Sequence, residues 1–448
     1  MSGASGLSSY QEIGRALALG PMRPKQVGVV CLCLLINAID GFDVQVTAFT
    51  AAAISDEWGL RPDALGLVLS AGLIGMALGA LFLSSIADLF GRKPMIVGSL
   101  AVVALGMAIS AFCTSVTELA AARIFTGIGI GGLISSVGAL VSEFSSDRRR
   151  GLVLGLMAIS FPAGAMVCAA ISIPLIARFG WPSVFIAGAA LTALVIPLVL
   201  LLMPESILFL LSSSKPRHHA ALARTLRSFG MPPPSSNAPP AATDHGSGSR
   251  FIRLLVGDMR WRTARLGGLF LCAMLTFYYI LNWAPKLVVQ SGAPMSTGLA
   301  VGLLINLGGM GGGVLAGLVM PRLGLVATGR MALLGMAVAV AAMSLWIGST
   351  GVTMVLAVVV GFTLWAVQAS IYTAMMIAFP AGLRATAIGL VTTAGRVGSA
   401  VGPLAGGFLF NAGLTTFPTT LILVVPALVG ALLVVDYASR ELSNVGHG

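Results

Sequence analysis

Residues 83–94 read LSSIADLFGRKP, a short charged segment between two long apolar runs. A second segment, AGLVMPRLG at residues 316–324, joins two apolar runs in the later part of the chain. Each copy has a glycine three residues after the same position, which holds Asp88 in the first copy and Pro321 in the second. Related connections in the two halves of one chain indicate a duplicated membrane architecture.

The composition around these segments is that of an integral membrane protein. The chain has 448 residues, of which 57% are hydrophobic and only 9% are charged, and its mean hydropathy is +0.98. A soluble protein of this length needs more charge at its surface, whereas lipid accepts apolar side chains. The 56 glycines suit membrane helices, which associate through close packing of small residues.

Hydropathy divides the chain into twelve apolar stretches, six on each side of a long polar interruption. They start near residues 27, 65, 94, 117, 151, 181, 266, 297, 329, 352, 384 and 415. We therefore predict an all-α integral membrane protein with twelve transmembrane helices in two six-helix halves. Its parts are an N-terminal tail (1–26), an N-terminal bundle (27–203), a central loop (204–265), a C-terminal bundle (266–436) and a C-terminal tail (437–448).

The basic residues follow this predicted topology. The formal net charge is +11, and 21 of the 26 lysines and arginines fall on the termini and the even-numbered connections. The positive-inside rule then predicts that both termini are cytoplasmic. We expect a multi-pass protein of the plasma membrane, which would be the inner membrane if the source is a Gram-negative bacterium. The charge reflects topology and contact with the lipid bilayer, so nucleic acid is not an expected partner.

The central loop has two parts of different composition. Residues 231–249, MPPPSSNAPPAATDHGSGS, are rich in Pro, Ser and Gly and are not expected to fold alone. Residues 250–265 carry several arginines among apolar residues, which predicts an amphipathic segment on the inner membrane surface.

Two acidic residues interrupt the first apolar run, where Asp40 and Asp43 are the only charged residues from position 27 to position 54. An ionised carboxylate at the centre of a membrane helix costs about 3 kcal/mol, so their shared face must meet protein or water. Repulsion between two desolvated acids favours the binding of a proton, which predicts proton coupling by the pair. The alternative is that one of them satisfies a buried structural partner. Gly41 between them permits close backbone approach or a local break.

Two arginines lie inside predicted spans, where each needs an anion or a lining of carbonyl groups. Arg123 in the fourth span lies at a depth compatible with Asp43. It is predicted either to attract an anionic substrate, because a guanidinium fork matches a carboxylate, or to form a permanent structural ion pair. Arg396 in the eleventh span is the second candidate for substrate or gating contact, whereas Arg384 is expected to anchor the inner end of that helix.

Polar and aromatic side chains mark two further stripes on the predicted helices. The stripes consist of Tyr279, Asn282 and Trp283 in the seventh span and of Trp365, Gln368 and Tyr372 in the tenth. Rings with a few hydrogen-bonding groups suit a small aromatic ligand and predict substrate binding. Helix packing produces the same pattern, so that interpretation also stays open.

The segment ADLFGRKP resembles the signature between the second and third helices of the major facilitator superfamily. The motif DGFD at residues 40–43, together with Arg384 and Arg396, is similar to the aromatic acid:proton symporter family within it. The resemblance extends to ARIFTGIGIGG, MPES, NWAPKL and AGRVGSAVGPLAGG along the chain. It implies the major facilitator fold and the proton-coupled import of a small aromatic carboxylate, such as a benzoate or hydroxybenzoate, by alternating access.

The same resemblance implies a conformational latch at the cytoplasmic face. In the superfamily the basic residue of the signature, here Arg92, pairs with an acid at the place of Glu143, while the signature acid, here Asp88, caps a neighbouring helix. Together they stabilise the outward-facing state. The usual glycine four positions before Asp88 is Ser84 in this chain, and Pro321 replaces the acid in the second copy, so a second latch is expected to be weak or missing.

Other classes of protein fit the sequence less well. The glycine-rich stretch GGMGGGVLAG lacks the Lys and the Ser or Thr of a phosphate-binding loop, and it predicts close helix packing. No catalytic triad or metal-binding spacing is evident, so we expect a monomeric transporter, not an enzyme, without cofactor or metal and driven by a proton gradient. The alternatives are a drug or metabolite exporter that exchanges protons and a sensor that keeps the transporter fold.

Overall fold

The computed structural model describes residues 20, 22–212, 216–229 and 252–445, apart from the side chains of residues 84, 85, 88, 212, 216, 381, 382, 385 and 432–445. Within these ranges the chain forms helices joined by short connections. The helices are α1 (Pro24–Trp58), α2 (Pro62–Phe90), α3 (Arg92–Ser110), α4 (Val116–Phe144), α5 (Arg150–Phe179), α6 (Pro182–Leu202), α7 (Ile207–Ser212), α8 (Pro216–Ser228), α9 (Gly257–Gln290), α10 (Met295–Leu323), α11 (Leu325–Leu345), α12 (Thr350–Ala378), α13 (Ala381–Asn411) and α14 (Thr416–Val445). The Pro- and Ser-rich stretch 231–249 and most of the N-terminal tail lie outside the described residues.

The twelve long helices correspond to the twelve predicted spans, and eleven of them begin within four residues of the predicted position. In the described chain, ten helices have the length and apolar composition needed to cross a bilayer. The apolar part of α14, 416–431, is shorter, and α13 has 31 residues but carries two arginines. These helices confirm the prediction of an all-α membrane protein built from twelve spans. The cytoplasmic position of the termini stays a prediction.

The helix α9 differs most from expectation, because it begins at Gly257 instead of near residue 266. Residues 257–265, the later part of the stretch predicted to lie on the membrane surface, continue directly into the span. Asp258 in the first turn favours a helix start at this point, since an acidic side chain there interacts well with the helix dipole. The boundary between the central loop and the second bundle stays a prediction.

The segment LSSIADLFGRKP is almost entirely helical in the structure. Helix α2 continues to Phe90 and α3 begins at Arg92, so the connection is a single residue, Gly91. Gly91 has φ +103°, and the matching Gly324 between α10 and α11 has φ +84°, values that favour glycine because a Cβ atom is strained there. The two halves therefore make the same one-residue turn, which supports the duplication.

Close helix packing also repeats between the halves. A Cβ atom on Gly79 of α2 would overlap the main chain of Ile128 on α4, and one on Gly312 of α10 would overlap that of Phe362 on α12. Both pairs join the second and fourth helices of their half. Gly312 belongs to the stretch GGMGGGVLAG, so the prediction of close packing for that stretch is confirmed.

The two halves meet along two seams, α2 against α13 and α5 against α10. We call the end with the α1–α2 and α9–α10 connections the outer end, and the opposite end the inner end. At the outer end of the first seam, Gly66 and Gly407 leave no space for a side chain between them. Ala48, Ala51, Leu65 and Leu69 of the first half pack within the hydrophobic core of the second. The outer end is thus closed by contacts between the halves.

Candidate functional site

The motif DGFD lies at the middle of α1, where the helix continues without a break. Gly41 faces α5 so closely that a Cβ atom would overlap the main-chain carbonyl of Phe161. This close approach is one of the two roles expected for Gly41, and the local break is not formed. Asp40 and Asp43 are both buried, with 4% and 1% of their surface exposed. They interact with different groups, although only three residues separate them.

Asp43 faces the interior of the first half. Arg123 on α4 donates a hydrogen bond from Nη2 to the main-chain oxygen of Asp43 at 2.7 Å and one from Nη1 to Sδ of Met107 at 3.1 Å. Thr192 on α6 lies 3.4 Å from Oδ2 of Asp43, at the limit of a hydrogen bond. The guanidinium group also lies over the ring of Phe185, 5.7 Å from its centroid. Asp43 and Arg123 are therefore neighbours, as predicted, and the hydrogen bond between them is to the main-chain oxygen of Asp43.

The charges in this cluster are only partly compensated. Oδ1 of Asp43 and Nε of Arg123 are buried and have no hydrogen-bond partner among the described residues. The ion pairs formed by the described side chains within 4.0 Å do not include one between these two residues. Burial without full pairing is costly for both groups. We define Asp43, Arg123, Met107, Thr192 and Phe185 as the first-half cluster.

Asp40 faces the second half of the molecule. Arg396, at the middle of α13, acts electrostatically on Asp40, on Tyr278 of α9 and on Tyr372 of α12. Gln368 lies one turn before Tyr372 and contacts its hydroxyl group. We define Asp40, Tyr278, Gln368, Tyr372 and Arg396 as the central cluster. It joins one acidic residue of the first half to polar residues from three helices of the second.

The central cluster borders open space. Tyr372 is 42% exposed although it lies well inside its helix and interacts with Arg396, and Tyr278, Gln368 and Arg396 are partly exposed. Oδ1 of Asp40 has no hydrogen-bond partner among the described residues. Partly exposed rings beside a guanidinium group can stack against an aromatic ring and bind its carboxylate. Such an arrangement is suited to an aromatic anion.

The other predicted aromatic residues lie elsewhere. The hydroxyl of Tyr279 is hydrogen-bonded to Thr420 on α14 at 2.9 Å, and Nε1 of Trp283 donates to the main-chain oxygen of Pro403 at 3.0 Å. Both side chains are buried within the second half. Asn282 donates to the main-chain oxygen of Tyr278 at 2.9 Å. Their polar groups are engaged in helix packing, whereas the adjacent Tyr278, which the sequence stripe did not include, reaches the central cluster.

Trp365 also takes part in packing. Its ring lies against Gly309 of α10 and 4.9 Å from the ring of Phe277, and it is buried. Of the three residues in the tenth-span stripe, Gln368 and Tyr372 reach the central cluster and Trp365 does not. The sequence spacing placed all three on one side of the helix, but that side is shared between α10 and the open space.

A second polar group lies at the inner end. Oγ of Ser206 is 2.8 Å from both carboxylate oxygens of Glu143, and Arg92 acts electrostatically on the same carboxylate. Oε1 of Glu205 accepts hydrogen bonds from the main-chain NH groups of Arg92 and Lys93, at 2.8 and 3.1 Å, and so caps α3. The latch residues Arg92 and Glu143 are thus neighbours, and the side chain of Asp88 lies outside the described residues.

The role of Glu205 and Ser206 was not recognised in the sequence. Both belong to MPES, which was noted only as a point of resemblance. An acidic residue followed by Ser just before a short helix is a capping pattern, and Ser206 does cap α7 through the NH group of Phe209 at 3.1 Å. In the described part of the chain, no three His, Cys, Asp or Glu side chains lie close enough together to hold a metal ion.

Comparison with known proteins places this geometry in a family context. The family model of the Major Facilitator Superfamily matches residues 33–403. The gallate transporter of Pseudomonas putida is 30% identical to the chain over 427 residues, which cover 94% of each protein. The 4-hydroxybenzoate transporter PcaK of Pseudomonas putida is 29% identical over 410 residues, which cover 91% of each.

The fold is similar to that of solved transporters. The xylose transporter XylE from E. coli in its inward open conformation matches with a TM-score of 0.69 at 16% identity, over 91% of this chain and 95% of that one. A D-xylose-proton symporter matches with a TM-score of 0.70 at 18% identity, over 91% and 97%. At this identity the likeness concerns the fold alone.

Proposed function

We propose, since the chain belongs to the Major Facilitator Superfamily, that it imports a small aromatic carboxylate together with protons. The chain is a multi-pass membrane protein of a transporter family and not an enzyme. Its relatives named above are transporters of gallate and 4-hydroxybenzoate. The observation that carries the proposal is the central cluster, in which Arg396 and two tyrosines of the second half meet an acid of the first.

Arg396 supplies the charge that a carboxylate requires. Its guanidinium group can donate two parallel hydrogen bonds to one carboxylate. Tyr278 and Tyr372, with which Arg396 interacts electrostatically, supply aromatic rings and hydroxyl groups, which suit a benzene ring carrying a carboxylate or hydroxyl. Gln368 adds an amide donor and acceptor. A substrate held in this way bridges the two halves beside Asp40.

Asp40 connects substrate binding to protons. When Arg396 is unoccupied, the ionised Asp40 and the guanidinium group compensate each other. A bound carboxylate competes with Asp40 for that charge and favours protonation of Asp40, so anion and proton enter together. One proton for one monoanion makes the cycle electroneutral, and the gradient is the energy source without a bound cofactor. The parallel role of Asp43 stays a prediction that is tested separately below.

The proposal is tested by transport into proteoliposomes with an imposed inward proton gradient. We expect accumulation of benzoate, 4-hydroxybenzoate or gallate, and none of benzamide, which lacks the carboxylate. Arg396→Gln should abolish uptake, whereas Arg384→Gln on the same helix should retain it, because Arg384 donates to the main chain of Phe379 at the inner end.

Three outcomes would each contradict part of the proposal. Uptake driven by an outward proton gradient, with net efflux of the same compounds under the inward gradient, would indicate an exporter that exchanges protons. Binding of an aromatic acid without any accumulation, in folded protein, would indicate a sensor. Equal uptake by Arg396→Gln and by the unaltered protein would remove Arg396 from the site.

A further inference from the structure

We infer that Asp56 and Lys286 form an outer gate between the two halves, and that opening this gate releases Lys286 to the carboxylate of the incoming substrate. The second part of this inference rests on the proposed function, whereas the first does not. Asp56 lies near the outer end of α1 and Lys286 near the outer end of α9. Nζ of Lys286 donates to Oδ1 of Asp56 at 3.0 Å, directly across the junction of the halves.

The pair is asymmetric in its exposure. The side chain of Lys286 is only 5% exposed, whereas that of Asp56 is 65% exposed. The ammonium group is therefore held between the halves while the carboxylate reaches water. A buried charge without a partner is unfavourable, so the closed arrangement depends on Asp56 more than Asp56 depends on Lys286.

The surroundings show why the pair must separate when the outer end opens. The main chains of Gly66 and Gly407 are in close contact at the neighbouring seam, and the main-chain oxygen of Pro62 lies against Gly407. An outward-facing state requires these helix ends to part. Since α1 and α2 belong to one half and α9 and α13 to the other, the same movement draws Asp56 away from Lys286.

A cavity at this junction offers the released lysine a place to meet an anion. It has a volume of about 320 Å³ and is lined by both halves. Residues from its wall include Ser55, Leu60, Leu65, Trp283, Gln290 and Phe410. Trp283 and Gln290 lie about one turn on either side of Lys286, so the lysine is adjacent to this space. Phe410 in this wall is partly exposed, so an aromatic ring can pack against it with its carboxylate toward Lys286.

The gate is tested without any substrate by labelling a cysteine at the closed outer end. Leu69→Cys is introduced after Cys113→Ser, since Cys113 lies at the same end, and the protein in oriented vesicles is treated with an impermeant maleimide. Leu69 is buried between the halves and does not line the cavity, so reaction requires opening. Asp56→Asn should raise the labelling rate roughly tenfold, because it leaves Lys286 unpaired in the closed state.

Lys286→Met should not raise the rate, because it removes the buried charge and leaves Asp56 in water. The double variant Asp56→Asn, Lys286→Met should label as slowly as Lys286→Met alone. Arg61→Gln is the matched control, since Arg61 pairs with Asp63 at 3.1 Å on the outer surface within one half. If Asp56→Asn labels no faster than this control, the pair is not a gate.

Capture of the anion is tested by benzoate uptake from outside. Lys286→Met should raise the KM about fivefold with little change in maximal rate, the effect of one unit charge near 4 Å in water-like surroundings. Lys286→Arg should restore the KM. An unchanged KM in Lys286→Met would overturn the capture role while the gate stands on its labelling result. If no aromatic acid accumulates, the proposed function and the capture role both fail, whereas the gate is still judged by the labelling result.

Discussion

The two acids of α1 differ in what surrounds them. Asp43 lies in the first-half cluster, where its neighbours Arg123, Met107, Thr192 and Phe185 all belong to the first half. Asp40 faces the central cluster, where its partners belong to the second half. Relative motion of the halves leaves the first environment unchanged and alters the second.

This difference assigns different physical tasks to acids of the same type. A charge inside one rigid bundle can hold helices in place, but its surroundings do not report which end of the protein is open. A charge at the junction of the halves changes its partners during alternating access. Under the proposed function, Asp40 is the acid that couples proton and substrate, whereas a proton role for Asp43 stays a prediction.

The largest expected effect is the loss of protein stability when a charge of the first-half cluster is removed. Asp43→Asn and Arg123→Gln should each destabilise the folded protein by about 3 kcal/mol, because each leaves a buried charge without its counterpart. The double variant should lose much less stability than the two single variants together, since neither charge remains. Thermal unfolding in detergent, followed by size-exclusion chromatography, measures the three losses.

The matching variant of the central cluster provides the control for these measurements. Asp40→Asn should unfold close to the temperature of the unaltered protein, because the charge that it leaves without a counterpart, Arg396, borders open space. Strictly additive losses for Asp43 and Arg123 would show that the two charges do not interact. The contrast between a rigid environment around Asp43 and a movable one around Asp40 would then not hold.

The next effect concerns coupling. Asp40→Asn should lower gradient-driven accumulation by up to about 100-fold, which corresponds to losing a coupling free energy of about 3 kcal/mol, and should retain exchange of labelled for unlabelled substrate. Accumulation and exchange are measured in the same proteoliposomes. Normal accumulation by Asp40→Asn would refute the assignment. Folded Asp43→Asn that exchanges but cannot accumulate would give Asp43 a proton role as well.

The smallest effect separates two adjacent tyrosines. Tyr278→Phe removes a hydroxyl from the central cluster and should raise the KM for 4-hydroxybenzoate about fivefold, the value of one hydrogen bond of about 1 kcal/mol. Tyr279→Phe removes the bond to Thr420 and should lower stability by a similar free energy without changing the KM. If Tyr279→Phe raises the KM instead and Tyr278→Phe lowers only the stability, Tyr279 and not Tyr278 lies in the substrate site.

Much of the architecture could be predicted because hydropathy reports directly on lipid. Eleven helices begin where the apolar runs predict, and the exception, α9, begins earlier because a polar helix segment gives no hydropathy signal. The echo between LSSIADLFGRKP and AGLVMPRLG corresponds to two one-residue turns at Gly91 and Gly324. That both turns are so short was not predictable, since helices often extend beyond the membrane.

The partners of the charged residues were harder to predict. Arg123 was expected near Asp43, and it is there, but it donates to the main-chain oxygen. Spacing along a helix could not separate Tyr278 from Tyr279, because neighbouring residues differ by 100° and only the position of α13 and α14 determines which one is covered. The neighbours of Asp40 come from helices more than 200 residues away in the chain.

The sequence by itself determined the membrane class, the number of spans, the duplication and three of the buried charged residues, Asp40, Asp43 and Arg123. These properties follow from the cost of placing polar groups in lipid, which acts on each segment separately. Only the tertiary structure decided which acid faces a rigid bundle, which faces the junction of the halves, and that Lys286 meets Asp56. Such pairings depend on how twelve helices pack together, and packing combines residues that no local pattern connects.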